Sequence, residues 1–277
     1  MEKKYMVRCD MEGVSGVISY KQVEPGKPEY SFGRKMMMMD LVALVEGLNE
    51  GGAEKIVIYD EHYYGRNLEI DMLPENVIII CGKPPYKKNW AGGLNETFTG
   101  LILLGFHSKY GTQGGLLPHS YELDIKNIIL NGESVGEIGM ETAIAGDYNV
   151  PLLMVTGDTA GVIEAKRIAK GVNGVSVKEA LYEEGGICYP TKKTYAMIRN
   201  GAIEIVKNKP SVNNYSLGNK VNMRIELNDG VFLNSFNHIY KDKMLNKNSI
   251  LLEGESVTEV WSIYWEMKLK AQKEIGD

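Results

Sequence analysis

Carboxylates and imidazoles collect where apolar runs end in the first half of the sequence. "KYMVRC" gives way to Asp10-Met11-Glu12, "KIVIY" to Asp60-Glu61-His62, and "LILLGF" to His107. Asp10 and Glu12 stand two apart, and in an extended segment such positions project to the same side. Two close carboxylates repel, and left alone one has to take up a proton; a divalent cation between them removes that conflict. The chain has only 4 histidines, and two of them fall at consecutive run ends. His119, in "LLPHSYE", follows the glycine-rich stretch "KYGTQGG", which could bring it to the same edge. Oxygen and nitrogen donors without thiolate form a hard-to-borderline set that suits Zn²⁺ best, with Mn²⁺ or Fe²⁺ as alternatives. A carboxylate can also bridge two cations, so the set has room for more than one metal.

Glu133, Glu137 and Glu141 in "GESVGEIGMET" are spaced i, i+4, which places them on one face of an expected helix. Like charges at that spacing are mildly destabilising in water, so a nearby cation would help. Glu137, set between glycine and apolar residues, is the strongest further ligand; Glu133 and Glu141 read equally well as a solvated acidic face. Singly, each residue has a plainer role: Asp10 as a turn cap, His62 as a surface imidazole in "DEHYYGRN", His107 as a core histidine bonded to backbone. His238, in "NSFNHIY", lies far from the others and reads as structural. Convergence on one edge is what points to a metal. No H-E-x-x-H motif, P-loop or dinucleotide glycine fingerprint occurs, and "CGKPPYKK" lacks phosphate-cradling spacing. The "MMMM" at Met36–Met39 reads as core or an oligomer contact.

An open parallel sheet would position such residues, because ligands bind in the crevice outside the carboxyl ends of its strands. The first two-thirds of the chain alternates strand-like and helix-like runs: "KKYMVRC", the helical "RKMMMMDLVALVEGLNEGG", "EKIVIYD", "NVIIIC", "TGLILLGF", the helical "GESVGEIGMETAIAGDYN", "PLLMVTGD" and the helical "TAGVIEAKRIAKG". The expected fold is α/β, a mostly parallel sheet flanked by helices on both faces. After about Pro190 the texture changes to a basic helix, the alternating "NKVNMRIELND", the strand "NSILLEG" and a final helix. That helix opens at Ser256, with Glu259 three residues on as a capping box. This predicts a catalytic α/β domain over 1–189 and a smaller α+β region over 190–277, packed against it.

At 277 residues, 44% apolar and 24% charged, the chain is an ordinary globular sequence able to bury a large core. A net charge of −5 gives no reason to expect a nucleic-acid or anionic-membrane partner. "MEKKYMVRCD" does not resemble a signal peptide, and the apolar runs are too short to span a bilayer. Cys9, Cys81 and Cys188, unpaired in spacing and flanked by apolar residues, read as reduced, buried thiols of a cytoplasmic protein.

"VRCDMEGVSG", "YDEHYYGRNL", "LLGFHSKYGT", "LPHS" and "NGESVGEIGM" occur in the order of the motifs of the zinc-dependent D-aminopeptidase (DppA) family, which the chain resembles over nearly its whole length. The resemblance implies a dinuclear zinc site with Asp10 shared by both ions, Glu12, His62, His107 and Glu137 as the other ligands, and His119 as the catalytic histidine. It also implies a homo-oligomer of two stacked pentamers around a chamber. The His107–His119 loop is one residue longer than the family pattern, Glu61 replaces a small polar residue, and "YSFGRKMMMMD" differs in detail. These departures bear on substrate preference more than on metal binding.

The implied reaction is removal of N-terminal residues from short peptides by a metal-activated water, with His119 as acid and base. D-specificity would come from pocket shape. Two other classes fit the donor set. One is a dinuclear hydrolase of a phosphoester or non-peptide amide; its phosphoester form requires an anion cradle, for which only Arg66 and Lys109 offer themselves. The other is a non-catalytic metal or assembly protein, in which His119 would be dispensable.

Overall fold

Apolar runs too continuous to leave one face in water become the interior strands of a twisted sheet. The computed structural model describes residues 2–208 and 210–275. Along the chain run β1 (Lys4–Cys9), α1 (Tyr30–Gly51), β2 (Lys55–Asp60), β3 (Val77–Ile80) and β4 (Gly100–Phe106). Then come β5 (Ile125–Leu130), β6 (Glu133–Val135), α2 (Glu137–Asp147), β7 (Leu152–Asp158), α3 (Thr159–Ile168), β8 (Asn173–Tyr182) and β9 (Gly185–Cys188). The last elements are α4 (Thr191–Asn208), β10 (Val221–Leu227), α5 (Val231–Tyr240), β11 (Met244–Asn246), β12 (Ser249–Gly254) and α6 (Val257–Ile275).

Seven strands form one sheet in the order β3-β2-β1-β4-β7-β8-β9, all parallel except β9. Its strands alternate between two cores. Tyr5, Val7 and Cys9 of β1 pack with α1 and α4 on one face, beside Met36–Met38, so the methionine run is core. Met6 faces the other side, with α2, α3 and a second sheet. That sheet is antiparallel, ordered β11-β12-β10-β5-β6. β10 buries every other residue, as an alternating sequence must when one face is wet.

The expected division at residue 190 does not follow the sheets. β5 and β6, before it, belong to the smaller sheet, while α4, after it, packs on α1 and against β7 and β8. An amphipathic helix buries its stripe against whatever apolar surface lies nearest, and Ile198, Ala202 and Ile205 of α4 find that surface in the α1 core. The helix expected to begin near Gly132 begins at Glu137, because Glu133–Val135 pair with β5 instead. At the start of α6 the Ser256 hydroxyl accepts from the Glu259 amide at 3.1 Å, as the capping signal requires. Asp147, from the end of α2, adds a tertiary cap by accepting from the amides of Val257 and Thr258 at 3.2 and 2.7 Å. Cys9 is buried, but Cys81 and Cys188 are exposed, since both sit at the outermost strands of the large sheet where apolar neighbours do not guarantee cover.

Candidate metal centre

The carboxyl ends of β1, β2 and β4 lie side by side, and each delivers its polar residues to one edge. Asp10 follows β1 directly, its amide donating to the Leu104 carbonyl at 2.9 Å. The chain then turns sharply over β4. The Gly13 amide donates to the Gly105 carbonyl at 2.7 Å, and a Cβ at Gly13 would stand 2.0 Å from the Phe106 carbonyl oxygen. Glycine is needed there for close backbone approach, while Gly16 supplies a left-handed turn at φ 76°. Ser15 donates its amide and hydroxyl to Asp40, both at 2.8 Å. Buried Lys178 donates to the carbonyls of Glu12 and Val17, so the carboxylate-bearing turn is anchored from below.

Three imidazoles converge, each with one ring nitrogen on a backbone carbonyl. His62 Nε2 donates to the Val23 carbonyl at 2.7 Å, leaving Nδ1 at 3.0 Å from Asp10 Oδ1 and 3.2 Å from Glu12 Oε2. His107 Nδ1 faces the Ser108 carbonyl at 3.0 Å, leaving Nε2 at 3.4 Å from Asp10 Oδ2 and 3.2 Å from Glu137 Oε1. His119 Nδ1 faces the Leu117 carbonyl at 3.0 Å, and its ring stacks on His107 with centroids 4.1 Å apart. A carbonyl on one ring nitrogen is what orients an imidazole to offer the other to a metal. Glu137 opens α2, where the helix N-terminus favours a carboxylate, and accepts from the Tyr121 amide at 2.6 Å. The glycine-rich stretch before His119 is tethered: the Leu116 amide donates to Asp158 at 3.1 Å and the Tyr110 amide to Ser120 at 3.2 Å. Leu117 and Tyr121, either side of His119, hold φ of 50° and 60°, a strained conformation in which their amides donate to the Glu183 carbonyl at 2.9 Å and to Glu137 at 2.6 Å.

The donors fit a metal. They fall into two groups, Asp10–Glu12–His62 and His107–His119–Glu137, the atoms of each lying within 4.8 Å of one another. All six residues are buried. Asp10 Oδ2, Glu12 Oε2 and His107 Nε2 are buried without a hydrogen bond, despite neighbours at 3.2–3.4 Å. Two ligands about 2.0–2.1 Å from one tetrahedral ion stand about 3.3–3.4 Å apart, which is this spacing. The electrostatics agree. Burial opposes a charge on His62 and His107, yet Glu12, Glu137 and Asp10 outweigh it and hold both imidazoles well above their ordinary pKa. Burial likewise disfavours ionised Asp10, but His107 and His62 keep its carboxyl well below the usual range. The pocket is built around positive charge.

Asp60, at the third run end, faces away from the donors: it accepts from the Asn67 amide and side chain, both at 2.7 Å, and so staples the loop carrying His62. Glu133 is exposed on β6, while Glu141 is 1% exposed and pairs with Arg8 at 2.9 Å, so it is not part of a solvated face. Arg8, Tyr121 and Lys178 surround the centre without having stood out in sequence. A buried-strand arginine two residues before Asp10 was the available signal for the first. His238 lies on α5, away from the cluster.

Comparison with known proteins shows the family. A family model described as D-aminopeptidase matches residues 4–265. A D-aminopeptidase of Bacillus subtilis (strain 168) is 30% identical over 211 residues, covering 76% of each chain. The Zn-dependent D-aminopeptidase DppA from Bacillus subtilis, a self-compartmentalizing protease, superimposes with a TM-score of 0.88 at 25% identity over 97% of both chains.

Proposed function

The chain belongs to the D-aminopeptidase family, and from that premise we propose a dinuclear zinc aminopeptidase that removes D-configured N-terminal residues from short peptides. The observation that carries the proposal is the double donor group: six buried residues in two clusters, the ligand atoms of each within 4.8 Å of one another, with Asp10 Oδ2, Glu12 Oε2 and His107 Nε2 lacking a hydrogen bond. Asp10, Glu12 and His62 would hold one ion, and His107 and Glu137 the other, with Asp10 shared through its two oxygens. When bound, the ions supply Lewis acidity, polarising the scissile carbonyl and bringing the pKa of water toward neutrality.

The chain's own residues do the rest. His119 moves the proton. Its Nδ1–H is committed to the Leu117 carbonyl, so Nε2 is free to take a proton from water and return it to the leaving amine. Stacking on His107 and an edge-on contact with Tyr20, centroids 6.2 Å apart, hold its plane. Nε2 stands 3.9 Å from Glu137 Oε1, so an imidazolium formed in the reaction has a carboxylate beside it. Glu24, Glu122 and Asp124 line the cleft of ≈450 Å³ above and draw in the peptide's ammonium end. Like its self-compartmentalizing relative, the protein would assemble as a homo-oligomer, ten subunits by family resemblance. Its free cysteines suit the cytoplasm, and among the described residues no helix is long and apolar enough to cross a membrane.

Metal analysis of the purified protein should give two zinc ions per chain, and D-Ala-D-Ala should be hydrolysed in preference to L-Ala-L-Ala until a chelator is added. His119→Ala should keep the zinc and lose the activity. A phosphoester hydrolysed while every dipeptide stays intact would replace the peptidase reading.

A further inference from the structure

Beside the metal cleft lies a second cavity of ≈270 Å³, and Glu61, Tyr63, Tyr64, Lys83, Tyr121 and Glu137 line both. The walls of the second are aromatic. Trp261 and Trp265 come from α6, with ring centroids 5.7 Å apart and planes at 81°; Tyr59 comes from β2 and Tyr86 from the loop after β3, their rings 6.3 Å apart. Leu269 and Pro84 add apolar wall, and Glu61, Arg66, Lys83, Glu122, Glu137 and Glu141 place charged groups in the same lining. Arg8 lies behind, 5.3 Å from the centroids of both Tyr59 and Tyr86. It pins Glu61, which also accepts from the Tyr86 hydroxyl at 2.8 Å. Both bonds go to Oε1, and among the described residues no hydrogen bond reaches Oε2. Apart from Glu137 and the Tyr121 that holds it, none of these groups has a part in the proton and metal chemistry, yet they form a built recess opening onto it.

We propose that this recess is the subsite for a bulky apolar side chain, aromatic above all, on one of the two residues flanking the scissile bond. The proposal rests on the aminopeptidase reading and adds which peptides are taken. An apolar cavity of about 150 Å³ holds a benzene ring, so ≈270 Å³ accepts a benzyl or indolyl group. An alanine methyl would leave most of it filled with water. Moving a phenyl-sized side chain from water into such walls favours it over a methyl by about ten-fold or more in binding.

The test uses the zinc-loaded protein with D-Ala-D-Ala, D-Phe-D-Ala and D-Ala-D-Phe. At least one aromatic dipeptide should exceed D-Ala-D-Ala in kcat/KM by about ten-fold, and its position assigns the subsite. Trp265→Ala should lower that ratio about ten-fold while zinc content holds. Equal kcat/KM for all three in the wild type, or a variant in which all fall together, overturns the proposal. Trp261 and Trp265 are two of the 3 tryptophans, so a titration with D-Phe should shift tryptophan emission whether or not turnover occurs. A saturable shift without hydrolysis of any dipeptide would sink the peptidase reading and leave the recess standing. Hydrolysis of D-Ala-D-Ala with no shift and no aromatic preference would do the reverse.

Discussion

Glu61→Gln should make the metal-free protein markedly more stable as pH rises. Burial first, and then the neighbouring Glu141, push the Glu61 carboxyl from 4.5 up to about 8, with Arg8 and Lys83 only partly opposing. An acid whose pKa is raised on folding contributes stability below its unfolded pKa and loses it as pH climbs through the folded value. The window is therefore pH 4.5 to 8. A rise of about 3.5 units at 1.36 kcal/mol each is about 5 kcal/mol when deprotonation is complete, of which about 3 kcal/mol is already lost at pH 7. Glutamine keeps an oxygen for Arg8 and Tyr86 but has no charge to desolvate and none to repel Glu141. Urea denaturation followed by tryptophan emission, in chelator from pH 5 to 9, should show variant and wild type diverging by several kcal/mol toward high pH. A gap that stays within about 1 kcal/mol across the range, or widens toward low pH, would refute the reasoning.

Zinc loading should release about two protons per chain near neutral pH, since His62 and His107 are held protonated by Glu12, Glu137 and Asp10 and must become neutral to ligate; affinity then rises with pH, and calorimetry in two buffers of different ionisation enthalpy that finds no proton release counts against it. Lys178→Met removes both ammonium bonds to the Glu12–Val17 turn, so zinc affinity measured by competition with a chromophoric chelator should fall about 10–100-fold with helical circular dichroism retained. Unchanged affinity would mean that the turn holds itself. Gly13→Ala forces a methyl to within 2.0 Å of a backbone oxygen and should cost about 3 kcal/mol in denaturation; a loss under about 1 kcal/mol shows that the turn can move aside.

Apolar runs and the polar residues that end them made the large sheet and most of the centre legible in the sequence. "KYMVRCD", "KIVIYD" and "LILLGFH" each became a strand with its donor at the carboxyl end, because burial on both faces leaves a strong compositional trace. The smaller sheet was only half legible. β6 is only three residues and pairs with β5, and what recruits β5 is pairing with β10, nearly a hundred residues later. Glu141 was ambiguous for the same reason. Its i, i+4 relation to Glu137 is local, but the Arg8 guanidinium that makes its burial tolerable lies on β1, more than a hundred residues earlier. His119 could be placed only loosely from sequence, because what fixes its loop is the Leu116 amide donating to distant Asp158, the Tyr110 amide donating to Ser120, and the stacking of His119 on His107.

The charge inventory bears on how many ions the centre would take. Asp10, Glu12 and Glu137 bring three negative charges into a buried space, and the metal-free fold answers by keeping His62 and His107 protonated. Once both imidazoles are neutral, as ligation requires, one dication would leave a net negative charge against the cleft's acidic rim of Glu24, Glu122 and Asp124. Two dications reverse the sign and leave one net positive charge. Only that balance would both relieve the repulsion and attract the oxygen of a peptide carbonyl, and the two oxygens of Asp10, one facing each imidazole, are placed to be shared.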